Sequence, residues 1–525
     1  MRTPMLQIKR TTYAAARLLR KLLLFVVIAL LLSWPLPSRV RAASGELDLT
    51  FGSGGKTTTD FGLGDLGWAV AIQTDGKIVV AGGEGQYFSA VRYNTNGTLD
   101  ASFGSGGKVS LGLVGSGRAI AIQTDGKIVI VGNTFVIGVS DFAVVRLNTN
   151  GSLDASFGTG GVATTDFFGG FDFPKGMAIQ IDGKIVVAGS AQTAGDDTEF
   201  ALARYNSNGT LDSTFDGDGK LTTPISGPNE GATAVAIQSD GRIVANGTSG
   251  LGFTLIRYNV DGSLDGTFGV GGIAGSLAGV GYAMAIQPDG RIVLAGFAGY
   301  TFDFAVARFD ATGHLDPSFG SGGITTTTMG GVSIAFAVAI QGDGRILAGG
   351  FATSLSTGRD FAIARYDSNG TLDSTFGSAG KVLTDFSGGE DSASGMSIQG
   401  DGRIVAAGFA VNSGTGYDFA VARYESVAFD ICEQDDSNGN LLQFNSTTGA
   451  YQFTKCGSGL VLSGTGSLAK RGSIMTLQHY GTDRRVLARV DGSVNKGTAS
   501  IQVFSQGTTF TIMDRNTTNN TCGCP

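Results

Sequence analysis

Three phrases recur in fixed order, seven times each, along this chain of 525 residues. Leu-Asp-x-Ser/Thr-Phe begins at Leu47, Leu99, Leu153, Leu211, Leu264, Leu315 and Leu372. Ile-Gln-x-Asp-Gly-Lys/Arg-Ile carries its Asp at 75, 125, 182, 240, 289, 343 and 401. Phe-x-x-x-Arg carries its Arg at 92, 146, 204, 257, 308, 365 and 423. The units run from Leu47 to Tyr424, 54 residues each on average. A chain built this way buries its core between neighbouring units, so the repeat sets the architecture before any single motif does.

Each unit reads as four short strands. In the first they are 55–61, 68–73, 77–82 and 88–94, apolar runs or alternations separated by turn residues. Asp75-Gly76 has the composition of a type I′ hairpin, and Asn94-Thr95-Asn96-Gly97 is a second turn cluster. The 85 glycines follow no period of three, which excludes collagen, and only 15% of residues are charged, which excludes a disordered chain. Four-stranded units of this length predict an all-β fold, a seven-bladed β-propeller with one unit per blade. An open solenoid is the weaker alternative, because its coils are shorter and need caps.

The phrases at 153–161 (in part), at 178–189 and, in similar form, at 360–367 resemble the bacterial delta-60 repeat family. That resemblance implies an exported bacterial β-propeller and no activity, since the family is a domain of unknown function. Some units depart from the pattern: Asp216 follows Phe215 where the others have Gly, Asn246 replaces an Ala, and Ile273 follows Gly272 where a Lys is usual.

Polar residues repeated in every unit read as structural, because an active site breaks symmetry. The Arg of each unit is expected to pair with a Leu-Asp carboxylate or with strand carbonyls. Asn94-x-Asn96-Gly97 resembles the middle of a calcium loop, but Arg92 and Phe103 would fall on ligand positions. Asp216-Gly217-Asp218-Gly219 is too sparse to hold calcium, so no metal and no cofactor is expected. Catalysis has little to draw on. The two histidines are His314, in a surface turn, and His479, beyond the repeats. No nucleophile elbow, phosphate loop, dinucleotide fingerprint or zinc-protease motif occurs.

Both ends of the chain differ from the repeats. Residues 1–21 carry Arg2, Lys9, Arg10, Arg17, Arg20 and Lys21 without an acid, followed by an apolar stretch over 22–34. That stretch is shorter than the roughly 20 residues a spanning helix needs, and it suits a secretory signal cleaved after Ala42. No membrane span is expected after cleavage. Removing residues 1–42 takes away eight Lys/Arg and no acid, so the formal charge falls from -7 to -15. Such a balance argues against nucleic acid and other acidic polymers as partners. Residues 427–525 hold Cys432, Cys456, Cys522 and Cys524 and read as a small β domain, with strand-like stretches at 441–444, 451–454, 475–479, 485–490, 499–504 and 508–513. In an exported chain these cysteines predict two disulfides, Cys432 and Cys456 each joined to one tail cysteine. A Cys₄ zinc site is disfavoured by the spacing.

The domain plan is thus a signal over 1–42, a propeller over 43–426 and a disulfide-stapled β domain over 427–525. The expected role is a non-catalytic binding or scaffolding module, secreted or associated with the cell envelope, with an extracellular protein or glycan as partner. The alternative is an extracellular propeller enzyme, a carbohydrate hydrolase or lyase. An enzyme should gather carboxylates, Arg and aromatics from several blades at one end of the channel; a scaffold should show only repeated groups there. Binding is expected where the units differ, in the loops joining strands one to two and three to four. Between the Gly closing strand three and the Phe of strand four lie 5 to 10 residues. Candidate contacts there are Trp68, Tyr87, Phe171, Phe173, Tyr300, Arg359 and Tyr417, with Lys175, Asp196, Asp197, Glu230, Glu390 and Asp391 beside them. With one unit per blade, the blade-to-blade connections would lie at the opposite, uniform end.

Overall fold

The computed structural model describes residues 44–426, except 63, 137, 196, 226, 228, 250, 251, 277, 278, 300 and 355, together with the backbone of strands between 431 and 512. The expected leader over 1–42 and the side chains of all four cysteines lie outside the described residues. No described helix is long and apolar enough to cross a membrane.

The repeats fold into seven antiparallel four-stranded blades, two of which share one long strand, Lys108–Ile122. The innermost strands (Asp65–Ile72, the second half of Lys108–Ile122, Asp172–Ile179, Gly231–Ile237, Val280–Ile286, Ser333–Ile340 and Asp391–Ile398) each contact the next, and the seventh contacts the first. The result is a closed β-propeller.

Sequence unit and blade are offset by one strand. The first strand of each unit forms the outer strand of the preceding blade. Lys56–Thr59 therefore pairs with Gly416–Tyr424 of the last blade, with Lys56 opposite Ala422 and Thr59 opposite Phe419. This corrects the expectation of one unit per blade. It also moves the blade-to-blade connection, which runs from a unit's first strand to its second, to the end where the units differ.

The second and third strands of each blade are buried along most of their length, as in Ile78–Glu84 and Tyr87–Tyr93. Their small apolar residues let neighbouring blades cover both faces, and each buried Val or Ile contributes roughly 1.5–3 kcal/mol. The Phe of every Leu-Asp phrase, from Phe51 to Phe376, is fully buried.

The Asp-Gly hairpins differ from the expected type. Gly76 has φ +82°, but Asp75 is not in the left-handed region. Gly76 N–H donates to Gln73 O at 2.9 Å and Gln73 N–H to Lys77 O at 2.9 Å. That is a three-residue loop, a type I turn followed by a left-handed glycine, in place of a type I′ turn. Where Asp216 replaces Gly, its backbone keeps the left-handed conformation at φ +52°.

The repeated Arg residues stitch the ring. Arg204 Nε donates to Asp212 at 2.7 Å, its Nη1 donates to Val260 O in the next unit at 2.5 Å, and its guanidinium carbon lies 4.6 Å from the centre of the Phe215 ring. The same triple contact recurs at Arg92, Arg146, Arg257, Arg308, Arg365 and Arg423, the last reaching Asp48 and Thr95 of the first units.

The C-terminal strands, from Ile431–Gln434 to Thr508–Ile512, form an antiparallel meander of eight in sequence order. Leu441–Phe444 matches its expected bounds, whereas Ile431–Gln434 and Leu460–Arg471 were not foreseen from the sequence.

Candidate functional site at the channel mouth

Every inner strand carries one irregularity, and it falls at the same place in each blade. Pairing with the second strand shifts register around Trp68, Arg118, Lys175, Thr233, Tyr282, Phe336 and Ser394. A bulge turns the extra residue away from the ladder. The strand opposite accommodates it with a glycine. A Cβ on Gly82 would stand 1.9 Å from Leu66 O, and one on Gly296 would stand 1.7 Å from Val280 O. The same close approach recurs at Gly132, Gly189, Gly247, Gly350 and Gly408.

All seven bulge residues line one cavity of about 800 Å³ at the end of the channel where the loops vary. The scaffold there is repeated, but the chemistry it presents is not. Blades one, five and six supply Trp68, Tyr282 and Phe336; blades two and three supply Arg118 and Lys175. Phe173, Phe351, Arg359 and Phe409 complete much of the wall. The aromatic rings pack edge to face around the rim: Trp68 on Phe409 at 6.3 Å, Tyr282 on Phe336 at 5.2 Å.

Among the described residues, the lining includes three cations and no Asp or Glu. Arg118 lies over Trp68 with its guanidinium carbon 4.2 Å from the ring centre, and Arg359 lies over Phe351 at 4.7 Å. Burial pushes the Arg118 pKa down. Burial and the neighbouring Arg118 charge together push Lys175 down. Two like charges thus repel each other in one wall, with no acid among its described residues.

Of the residues expected to bind, Trp68, Phe173 and Arg359 line this cavity, as does Lys175. Phe171 stacks on Phe173 with centroids 6.3 Å apart, and Tyr417 sets its edge on Phe409 at 5.4 Å, so both extend the rim. Tyr87 stands at the start of its strand, where its hydroxyl accepts from Gln86 Nε2 at 3.1 Å. Tyr300 and Asp196 lie outside the described residues. Sequence reasoning about loops missed Arg118, Tyr282, Phe336, Phe351 and Phe409, which stand in strands. One signal could have found the bulge column: the residue just before each Ala/Gly-x-Ala/Ser-Ile stretch varies while its neighbours do not.

At the uniform end, a smaller hollow of about 430 Å³ is lined by repeated groups such as Gln73, Asp75, Lys77 and Arg92. His314 is exposed in its turn there, 2.9 Å from Thr312 Oγ1.

A family profile described as a β-propeller domain of unknown function, DUF5122, matches seven stretches: 73–103, 123–157, 180–215, 238–268, 287–319, 341–376 and 399–427. The match carries that description and not the delta-60 name. A comparison with curated proteins finds no match. Among solved structures, the chain is similar to the extracellular domain of a putative one-component system of B. thetaiotaomicron, at 11% identity and TM-score 0.36, over 86% of this chain and 58% of that one. It is also similar to the polysaccharide lyase Uly1, at 12% identity and TM-score 0.39, over 74% of this chain and 94% of that one. The chain therefore spans less than two thirds of the first of these proteins.

Proposed function

The chain belongs to the DUF5122 β-propeller family, a domain of unknown function, and from its site we propose that it is an exported, non-catalytic binding module whose channel mouth captures an acidic saccharide. The observation that carries this reading is the repelling pair Arg118 and Lys175 in an aromatic wall with no carboxylate among its described residues. An anionic group between the two cations would relieve their repulsion, and in a mostly apolar hollow that attraction is strong. Flat rings such as Trp68 and Phe336 suit the faces of sugar rings, and the size falls in the usual range of ligand cavities. The propeller's overall negative charge argued against acidic partners; the mouth reverses that sign locally. Export rests on the leader over residues 1–42, and the ligand is accordingly one met outside the cell or at its envelope.

A hydrolase would need paired carboxylates at the bound sugar, and the mouth wall has none among the described residues. A lyase reading rests on Lys175, whose lowered pKa would suit a base.

Calorimetric titration of the full chain with polygalacturonate, chondroitin sulfate and neutral dextran tests the proposal. Binding of one or both acidic polymers is expected, weakening as salt rises, with no binding of dextran. The double variant Arg118→Ala/Lys175→Ala should lose it while keeping its melting temperature. Equal affinity for dextran, or capture that survives the double variant, would overturn the site. Release of unsaturated sugar ends during incubation would replace the binding module with a lyase.

A further inference from the structure

Away from the mouth, three groups of aspartates recur at equivalent junctions between blades. They are Asp60, Asp65 and Asp418; Asp141, Asp166 and Asp172; and Asp360, Asp385 and Asp391. In each, one Asp follows the outer strand of a blade, one sits in that blade's third strand, and one lies at the start of the next blade's inner strand. Within each group, carboxylate oxygens lie within 4.8 Å of one another. That span is about twice the 2.3–2.6 Å from calcium to a carboxylate oxygen, so one ion reaches all three.

The second observation is a set of bare oxygens. Asp65 and Asp391 are fully buried, and Asp418 and Asp360 are 3% and 4% exposed. Each has an Oδ1 without a hydrogen-bond partner, although its Oδ2 is held. Phe61 N–H donates to Asp65 Oδ2 at 2.6 Å, Phe386 N–H to Asp391 Oδ2 at 2.7 Å, and Thr357 Oγ1 to Asp360 Oδ2 at 2.7 Å. These bonds fix the carboxylates and leave one oxygen of each to the converging group. A buried charged oxygen without a partner is costly.

Nearby lysines do not neutralise these groups. Lys108, Lys220 and Lys56 donate to the main-chain oxygens of Asp60, Asp166 and Asp385, and each ammonium stands over the Phe that follows. The pattern is also all-or-none in the first position. The phrase Thr-Asp-Phe occurs at 59–61, 165–167 and 384–386, and at each of these places the other two acids are present. In the remaining units Gly112, Pro224, Leu277 and Thr328 take that position, and no complete triad forms among the described residues. The three acids occur together at these three junctions, whereas Glu199 and Glu230 at one other junction, and Asp303 at another, stand without an Asp at the first position.

In the group at Asp141, Asp166 and Asp172, both oxygens of the buried Asp172 are held, by the N–H groups of Phe167 and Gln192. We propose that the other two triads, the one at Asp60, Asp65 and Asp418 and the one at Asp360, Asp385 and Asp391, are divalent-cation sites, suited to calcium by their oxygen-only donors, and that each ion clamps two adjacent blades. Water and main-chain oxygens would fill the remaining positions of its six to eight ligands. The group at Asp60, Asp65 and Asp418 lies where the first unit meets the last, so its ion would lock the ring shut. This inference is independent of the channel mouth and stands or falls without it.

The test uses the full chain, stripped with EDTA and desalted. Calorimetric titration with calcium chloride should saturate at two ions per chain, and the melting temperature should rise by several degrees over the EDTA sample. Asp60→Asn and Asp385→Asn change the members that are not fully buried, and each should lower the stoichiometry by one. No calcium uptake and no melting shift by the wild-type chain would overturn the proposal. So would uptake whose stoichiometry in both variants equals that of the wild-type chain. Calcium uptake that falls by one in each variant supports it even if Asp65→Asn fails to fold.

Discussion

Arg118 stacks on Trp68 across the junction of the first two blades, 4.2 Å from guanidinium carbon to ring centre. Each side chain is the bulge residue of its own inner strand. The contact therefore depends on two backbone irregularities one repeat apart, and it holds a cation at the mouth where no acid does.

Trp68→Ala and Arg118→Ala should each weaken binding of the acidic polymer about tenfold, near the 1–2 kcal/mol of a partly desolvated cation–π contact. The double variant should lose less than the product of the two, since both remove the same contact. Arg118→Lys keeps the charge but not the planar stack and should recover only part of the affinity. Titration calorimetry on the four chains gives the coupling; strict additivity would show that the stack contributes nothing.

Gly296→Ala should destabilise the propeller by roughly 3 kcal/mol or more, because the new Cβ would stand 1.7 Å from Val280 O and 2.8 Å from Val280 C, backbone atoms that cannot turn aside. Gly290→Ala, in an open turn at φ +85° with only Ala311 Cβ nearby at 3.8 Å, should cost about 1–2 kcal/mol from backbone strain alone. Urea midpoints of the two variants decide between a packing role for Gly296 and a merely conformational one.

Those glycines also explain what could be read without a structure. The recurrence of Ile-Gln-x-Asp-Gly and Phe-x-x-x-Arg is legible because it encodes turns and ion pairs that depend on residues close in sequence, as Arg204 and Asp212 do at a separation of eight. The blade count followed directly. The offset between unit and blade did not, because it depends on pairing Lys56 with Ala422, hundreds of residues away, and no local pattern records that. The mouth was half legible. Trp68, Phe173 and Arg359 were found because the sequence placed them in uneven loops, although all three stand in strands, whereas Arg118 and Phe336 fall in regular-looking repeats and became visible only when the bulges were aligned. Asp391 read as a loop acid, and the structure instead buries it in a triad.

Removing one partner of the ring of ion pairs should be costly. Arg204 and Asp212 have side chains only 2% and 5% exposed. Asp212→Ala leaves the guanidinium buried with only a carbonyl, the Thr214 hydroxyl and a ring beside it and no counter-charge of its own, and a loss of about 3–5 kcal/mol is expected. Replacing both with apolar residues of similar volume should restore part of it. Chemical denaturation of the two variants measures the difference.

Acid should attack the same pairs. The Ser156 hydroxyl, working against burial and helped by the Ser156 N–H, Lys127 and Arg146, holds Asp154 well below the usual carboxylate range. A carboxylate whose pKa is lowered by folding adds stability that is fully present above its unfolded value of about 3.9 and is lost as pH falls toward its folded value. The urea midpoint should therefore drop as pH is lowered from about 4 toward 2. Asp154→Asn should start from a lower midpoint at neutral pH and fall less steeply over that window. An unchanged slope would mean that the pair titrates alike in both states.

The pairing of Lys56–Thr59 with the last blade has a consequence in time. On the ribosome this strand emerges before every blade, yet its only ladder partner, Gly416–Tyr424, is made hundreds of residues later. Until then the nascent chain is an open arc with two unfinished edges, each a template to which a strand from another copy could add. The arc becomes a circle in a single late event, and from that moment neither terminus of the repeat array can fray without breaking the circle.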